Sequence, residues 1–201
     1  MSGADTTERQ IWLVRHGETE WARLGRHTGR TDIPLTDRGR AQAAALGPRL
    51  ADRPFSLVLT SPLSRAAATA AIAGFPDAER DPDLMEWDYG ALEGRTSLEL
   101  RETYPDWTIW TGPWPDAETV AEVGARADRV LARCLEQRAA GDTLLFAHGH
   151  LLRILAARWL RQPAAAGSMF ALSTATLGIL GWDRQNPVIE SWNEACHLED
   201  T

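Results

Sequence analysis

His16 stands between an arginine and a glycine, directly after the β-prone run Gln10–Val14. An imidazole with an ordinary pKa of about 6.5 is largely neutral at pH 7, so one ring nitrogen can attack an electrophile such as phosphorus. Gly17 lets the chain bend there without Cβ strain. Arg15 and, farther along, Arg65 offer planar forks that match phosphate oxygens. Arg15, Arg23, Arg26 and Arg30 face only Glu18 and Glu20 in their stretch, a positive island in a chain of formal net charge −7. Taken alone, this cluster reads equally well as a capping histidine beside a surface arginine. His148-Gly149-His150 is a second polar cluster, and His148 by itself reads first as a satisfied core histidine. A zinc site is the rival chemistry, but no His, Cys or Asp group shows ligand spacing on one element.

These clusters gain meaning from the elements before them. Gln10–Val14, Phe55–Leu59 and Asp142–Ala147 are short apolar runs of the strand type, and each stops at polar residues: Arg15 to Thr19, Ser61 to Arg65, and His148 to His150. Helical spacing follows in Asp37–Leu50, with Thr36 as N-cap, in Leu63–Ala73, in Ala117–Ala139 and in Leu151–Leu160. Glu79–Leu84 is expected as a short strand, Ser97–Thr103 as a helix, and Met169–Asn193 as two or three strands with turns at Gly181 and Asn186-Pro187. Strands alternating with helices predict an α/β fold, a three-layer α/β/α sandwich around a mostly parallel sheet. Ligands bind such sheets at the strand C-termini, so the three clusters are expected to meet in one crevice. One domain over residues 1–201 is expected, with an irregular Trp-rich lid at about 85–116.

The bulk composition excludes several functions. With 44% hydrophobic and 24% charged residues the chain can bury a core, and its acidic balance disfavours nucleic acid and anionic membranes as partners. All 21 basic residues are arginine, a compositional bias, so no arginine counts as functional merely for not being lysine. Cys134 and Cys196 have no metal or redox spacing, the first ten residues lack a signal-peptide apolar run, and no stretch suits a membrane span. A cytoplasmic location is expected, as monomer or homodimer.

Four blocks carry a resemblance. Leu13-Val14-Arg15-His16-Gly17-Glu18-Thr19 with Gly25–Thr36 and Gly39 is the first, and Thr60–Ala66 with Thr69-Ala70 the second. Glu86–Gly90 with Leu92–Gly94 and Phe146–Gly149 complete the set. In this order and spacing they resemble the histidine phosphatase superfamily, the phosphoglycerate-mutase-like family. The resemblance implies that His16 becomes a phosphohistidine and that Arg15, Arg65 and His148 bind the transferring group, the main electrostatic contribution in phosphoryl transfer. It implies substrate contacts from Thr28, Gly29 and Tyr89, and a proton donor at Glu86. An alkoxide leaves badly, so a carboxylic acid, made protonatable by burial near Trp87 and Tyr89, must protonate it. Asp88 is the competitor for that role. The implied chemistry needs no metal and no cofactor.

Ala22 departs from the family pattern, where many relatives carry Asn or Ser. His150 either lines the pocket rim or only caps the next helix, while His27 and His197 are expected at the surface. Glu118-Thr119 reads as a helix cap. Trp87, Tyr89, Trp107, Trp110 and Trp114 either wall the pocket or form a satellite cluster under the lid. Between Gly90 and Pro115 only Arg95 and Arg101 are basic, too few for a mutase that must hold a bisphosphorylated intermediate. The expected activity is therefore metal-independent hydrolysis of small phosphate monoesters, sugar phosphates or similar, with the resemblance nearest a sugar-phosphate and acid phosphatase branch. Primer-dependent mutase chemistry and a silent binding protein are the alternatives.

Overall fold

Alternation along the strands decides the architecture. In β1 (Ile11–Arg15) and β4 (Asp142–Ala147), Ile11, Leu13 and Leu145 face one apolar cluster while Trp12, Val14, Leu144 and Phe146 face another. A sheet apolar on both faces must be covered on both. The computed structural model describes residues 9–112, 114–137 and 141–198, and it shows this cover. Helices α2 (Asp37–Leu50) and α3 (Ser64–Ile72) supply Leu46, Leu50 and Ala70 to one face. Helices α5 (Val120–Gln137) and α6 (Gly149–Trp159) supply Val123, Ala127, Leu151 and Leu155 to the other.

The sheet has six strands in the order β3-β2-β4-β1-β5-β6, where β2 is Phe55–Thr60, β3 Glu79–Arg80, β5 Leu177–Asp183 and β6 Asn186–Glu194. The first four strands pair in parallel, and the last two add antiparallel. This is the expected three-layer, mostly parallel fold. The ladder continues past the strand ends: the His16 amide donates to the Ala147 carbonyl at 3.0 Å and the Ser61 amide to the Phe146 carbonyl at 2.9 Å. Residues 16, 61 and 148 are thereby set side by side.

Several local expectations need correction. Gly181 lies inside β5, where a Cβ would meet the Glu190 carboxyl; the turn is Arg184-Gln185, with Arg184 at a φ of 59°. Pro82 limits β3 to two residues and starts a short 3₁₀ turn capped by Asp81. The long helix begins at Val120 rather than Ala117, and the end expected for it at 138–139 lies outside the described residues. A one-turn helix, α1 (Glu20–Arg23), capped by Thr19, was not legible. The helix Ser97–Thr103 (α4) forms as expected, with a capping box between Thr96 and Glu99.

Candidate active site

His16 is held by three contacts. Its amide extends the sheet, Gly17 behind it passes so close to Gly39 that a Cβ would lie 2.3 Å from that residue's carbonyl oxygen, and the Gly17 amide donates to Thr69 Oγ1 at 3.0 Å. The ring nitrogen Nδ1 lies 2.7 Å from the Gly17 carbonyl oxygen. A carbonyl only accepts, so Nδ1 carries the proton and Nε2 the lone pair. Among the described residues Nε2 has no hydrogen-bond partner, it is not sealed from solvent, and the ring lines a cavity of about 100 Å³. Burial first, then the charges of Arg65 and Arg15, hold the imidazole pKa well below 6.5. The ring is therefore neutral, the state that can attack.

Arg15 also lines this cavity. It donates through Nη1 to the Leu172 carbonyl at 2.5 Å, while its Nε is buried with no partner, a donor left over for an anion. Arg65 and His148 are brought next to His16 but not into the cavity as it stands. The His148 ring centroid is 5.1 Å from that of His16, and its Nδ1 accepts from Arg65 Nε at 3.2 Å. That leaves the His148 proton on Nε2, which donates to Ser61 Oγ at 2.8 Å. The Arg65 guanidinium is fully buried and donates to the carbonyls of Thr28, Gly29 and Thr31. Both residues thus underlie the nucleophile and shape its loop.

Glu86 also lines this cavity. Its carboxylate accepts from the amides of Trp87 at 2.9 Å, His150 at 3.0 Å and Leu151 at 2.9 Å. The last two belong to the first turn of α6, whose free N–H groups and positive end suit a carboxylate. Asp88 is turned away: it caps the Gly90 amide and approaches Arg30 at 3.6 Å, and it does not line the cavity. Tyr89 does line it, buried, its hydroxyl 2.6 Å from His150 Nδ1.

Thr28 and Ala22 line the cavity, whereas Gly29 does not. Gly29 instead packs against the Trp87 carbonyl and Tyr89, where a Cβ would meet backbone at 2.6 Å. An Ala22→Ser change adds a hydroxyl to this wall. It is expected to tighten inhibition by inorganic phosphate about 5-fold, the equivalent of ~1 kcal/mol for one hydrogen bond; an unchanged Ki shows that position 22 does not reach the bound anion.

Three wall residues were missed or misplaced in the sequence, and His150 takes the first of its two expected places. Arg26, His27, His150 and Arg153 all line the cavity, and His27, expected at the surface, is half-buried with burial lowering its pKa to about 4. The signal for Arg153 was available: it falls on the turn of α6 after His150. His197 is also half-buried, its Nε2 2.8 Å from the Ala175 carbonyl oxygen. The tryptophans do not line the cavity. They back it: Trp107 packs on His27 at 4.9 Å and Trp110 on His150 at 5.3 Å, with Arg153 over the Trp110 ring. Of the expected Glu118-Thr119 cap, Thr119 caps α5, accepting from the Glu122 amide while the Glu122 carboxylate accepts from the Thr119 amide; Glu118 instead joins Arg126 to the Asp88 amide and so ties α5 to the Glu86 segment.

Burial, as the largest cause, keeps His16, His27, His148 and His150 below the ordinary histidine pKa. Unfolded, each binds a proton near pH 6.5, so stability is full above that pH and declines as pH falls toward 4. His27 alone accounts for ~3 kcal/mol of that loss. Denaturant melts at pH 7.5 and 5 should show the drop, and NMR titration of His16 should show a midpoint below 6.5; a midpoint at or above 6.5 contradicts the neutral-nucleophile geometry.

Among the described residues no cluster of three or more His, Cys, Asp or Glu side chains is placed to hold a metal ion, and no helix is long and apolar enough to cross a membrane. The family model described as histidine phosphatase superfamily (branch 1) matches residues 11–195. An acid phosphatase of Mycobacterium tuberculosis is 44% identical over 87% of this chain and 87% of the relative. A sedoheptulose 1,7-bisphosphatase of Saccharomyces cerevisiae is 35% identical over 73% of this chain and 66% of the relative. A probable phosphoglycerate mutase of Salmonella arizonae is 32% identical over 94% and 95%. The solved structure of the open reading frame Rv3214 product from M. tuberculosis superposes with a TM-score of 0.89 at 42% identity, covering 92% of this chain and 97% of that one.

Proposed function

From the premise that this chain belongs to the histidine phosphatase superfamily, we propose that it hydrolyses small phosphate monoesters through a phosphohistidine at His16. The observation that carries this reading is a neutral imidazole whose unpartnered Nε2 faces a cavity between Arg15 and Glu86. The phosphoryl group docks against Arg15, whose spare Nε donates to an oxygen. His16 Nε2 forms a bond to phosphorus as the ester P–O bond breaks, and Glu86 gives its proton to the departing alkoxide. Water then attacks the phosphohistidine, Glu86 takes its proton, and inorganic phosphate leaves with His16 neutral again. Arg65 and His148 stabilise the transferring charge from beneath, exchanging present partners for phosphoryl oxygens. Thr28 and Tyr89 contact the substrate, and Gly29 keeps their loop closed.

The polar cavity wall favours sugar phosphates or similar metabolites. The acid phosphatase and sugar bisphosphatase among the relatives support hydrolysis as the main reaction. Two unpaired cysteines agree with a cytoplasmic enzyme. Phosphate release from an aryl phosphate and a panel of phosphorylated metabolites, in the presence of a chelator, tests the reading; no release from any ester points to a silent binding protein. One observation favours a second reading. Arg26 and Arg153 bring cations to the cavity from outside the 90–115 stretch in which basic residues were scarce, as a mutase requires. Phosphoglycerate isomerisation stimulated by a bisphosphate primer distinguishes that reaction from hydrolysis.

A further inference from the structure

The mechanism leaves the half-buried imidazole of His150 on the cavity wall unused. His150 follows the strand-end histidine by two residues, and its ring stands among Trp110, Trp87, Tyr89 and His27, with centroid separations of 5.3, 6.2, 5.8 and 6.3 Å. A ring gripped on so many sides has one orientation. Its Nδ1 lies 2.6 Å from the Tyr89 hydroxyl. Two tautomers are conceivable, and burial selects between them. Tyr89 is 2% exposed, and among the described residues its hydroxyl has no other hydrogen-bond partner. If Nδ1 held the proton, the tyrosine O–H would be left without a protein acceptor. The O–H therefore donates to Nδ1, and the His150 proton sits on Nε2.

That N–H is not spent on the described residues. Among them His150 Nε2 has no hydrogen-bond partner, and it belongs to a ring that lines the cavity. The His150 amide donates to Glu86 Oε2 at 3.0 Å. The residue bearing the donor is thus bonded through its backbone to the carboxylate that serves the ester oxygen, and both line the same cavity. Burial first, then the neighbouring charges of Arg153 and Arg15, keep the ring uncharged. A neutral imidazole N–H is a hydrogen-bond donor and no acid, so it adds nothing to the proton transfer. It suits an uncharged oxygen better than a second phosphate.

We propose that His150 is a specificity-determining residue that donates from Nε2 to a hydroxyl on the carbon beside the phosphorylated one, and that Tyr89 is the positioning residue that fixes its tautomer. The inference rests on the phosphatase reading with Glu86 as acid, and it narrows the substrate class to polyol and sugar phosphates. A site built to bond a substrate hydroxyl discriminates strongly against the analogue lacking it.

The test compares kcat/KM for propane-1,2-diol 1-phosphate and n-propyl phosphate, which differ only in the hydroxyl on the adjacent carbon. The wild type is expected to prefer the diol ester by ~10-fold or more. In His150→Leu that preference falls to within ~3-fold, His150→Gln, which keeps an N–H of similar reach, restores much of it, and Tyr89→Phe lowers it by a smaller factor. Any inductive effect of the extra hydroxyl is common to all variants and cancels. A wild type without preference, or a His150→Leu variant that slows both esters alike, overturns the proposal. Turnover of an aryl phosphate but of neither alkyl ester overturns it while leaving the phosphatase reading intact, whereas no turnover of any ester removes both.

Discussion

Replacing His16 by alanine is expected to lower kcat by ~10⁴-fold or more on every ester, because the variant has no second group able to take phosphorus. His148 is the nearest imidazole, 5.1 Å away between centroids, but its Nδ1 lone pair accepts from Arg65 and its Nε2 carries the proton toward Ser61. Neither nitrogen is free to attack. The variant should stay folded: the strand amide that holds residue 16 and the Gly17–Gly39 approach are backbone features. Phosphate binding through Arg15 should persist, so inhibitor affinity separates a missing nucleophile from a damaged pocket. Activity within 10-fold of wild type would refute the assignment.

Glu86→Gln is expected to act selectively. For alkyl esters kcat/KM should fall by ~10²–10⁴-fold, the usual contribution of a general acid. For aryl esters, whose oxygen leaves without a proton, the same constant should fall far less. The constant kcat/KM stops at the first irreversible step, so it excludes the later hydrolysis in which Glu86 also acts. The amide places an NH₂ near one of the three N–H donors now bonded to Glu86, and the aryl ester reports any damage from that crowding. Equal slowing of both esters would assign the acid to another group. Asp88 is a poor heir, since its oxygens serve Gly90 and Arg30 outside the cavity.

The parts of this site that were legible in sequence are those set by strand ends. A buried run that stops at Arg15-His16-Gly17 or at His148-Gly149 must deliver those residues to the same edge of the sheet, and it does. Glu86 was reached by resemblance alone, since nothing local distinguishes it from Asp88; the difference arises from α6, sixty residues on, whose first turn offers amides to one carboxylate only. His27 was misplaced for a similar reason. Its concealment depends on Trp107 and Tyr89, which pack on it from a segment without periodicity. Arg26 and Arg153 are exposed-type residues by composition and become wall residues only through the tertiary fold. Gly181 shows the converse error: a glycine read as a turn signal lies inside β5, beside the Glu190 side chain of β6.

The central claim is most directly tested by trapping the covalent intermediate. Glu86→Gln given an aryl phosphate should phosphorylate, because that leaving group needs no acid, and should hydrolyse slowly, because the attacking water lacks its base. Quenching at alkaline pH and peptide mapping should then find the phosphoryl group on Nε2 of His16, with none in a His16→Ala, Glu86→Gln double variant. A single turnover that releases phosphate with no modified enzyme, or a modification on any other residue, would contradict the account.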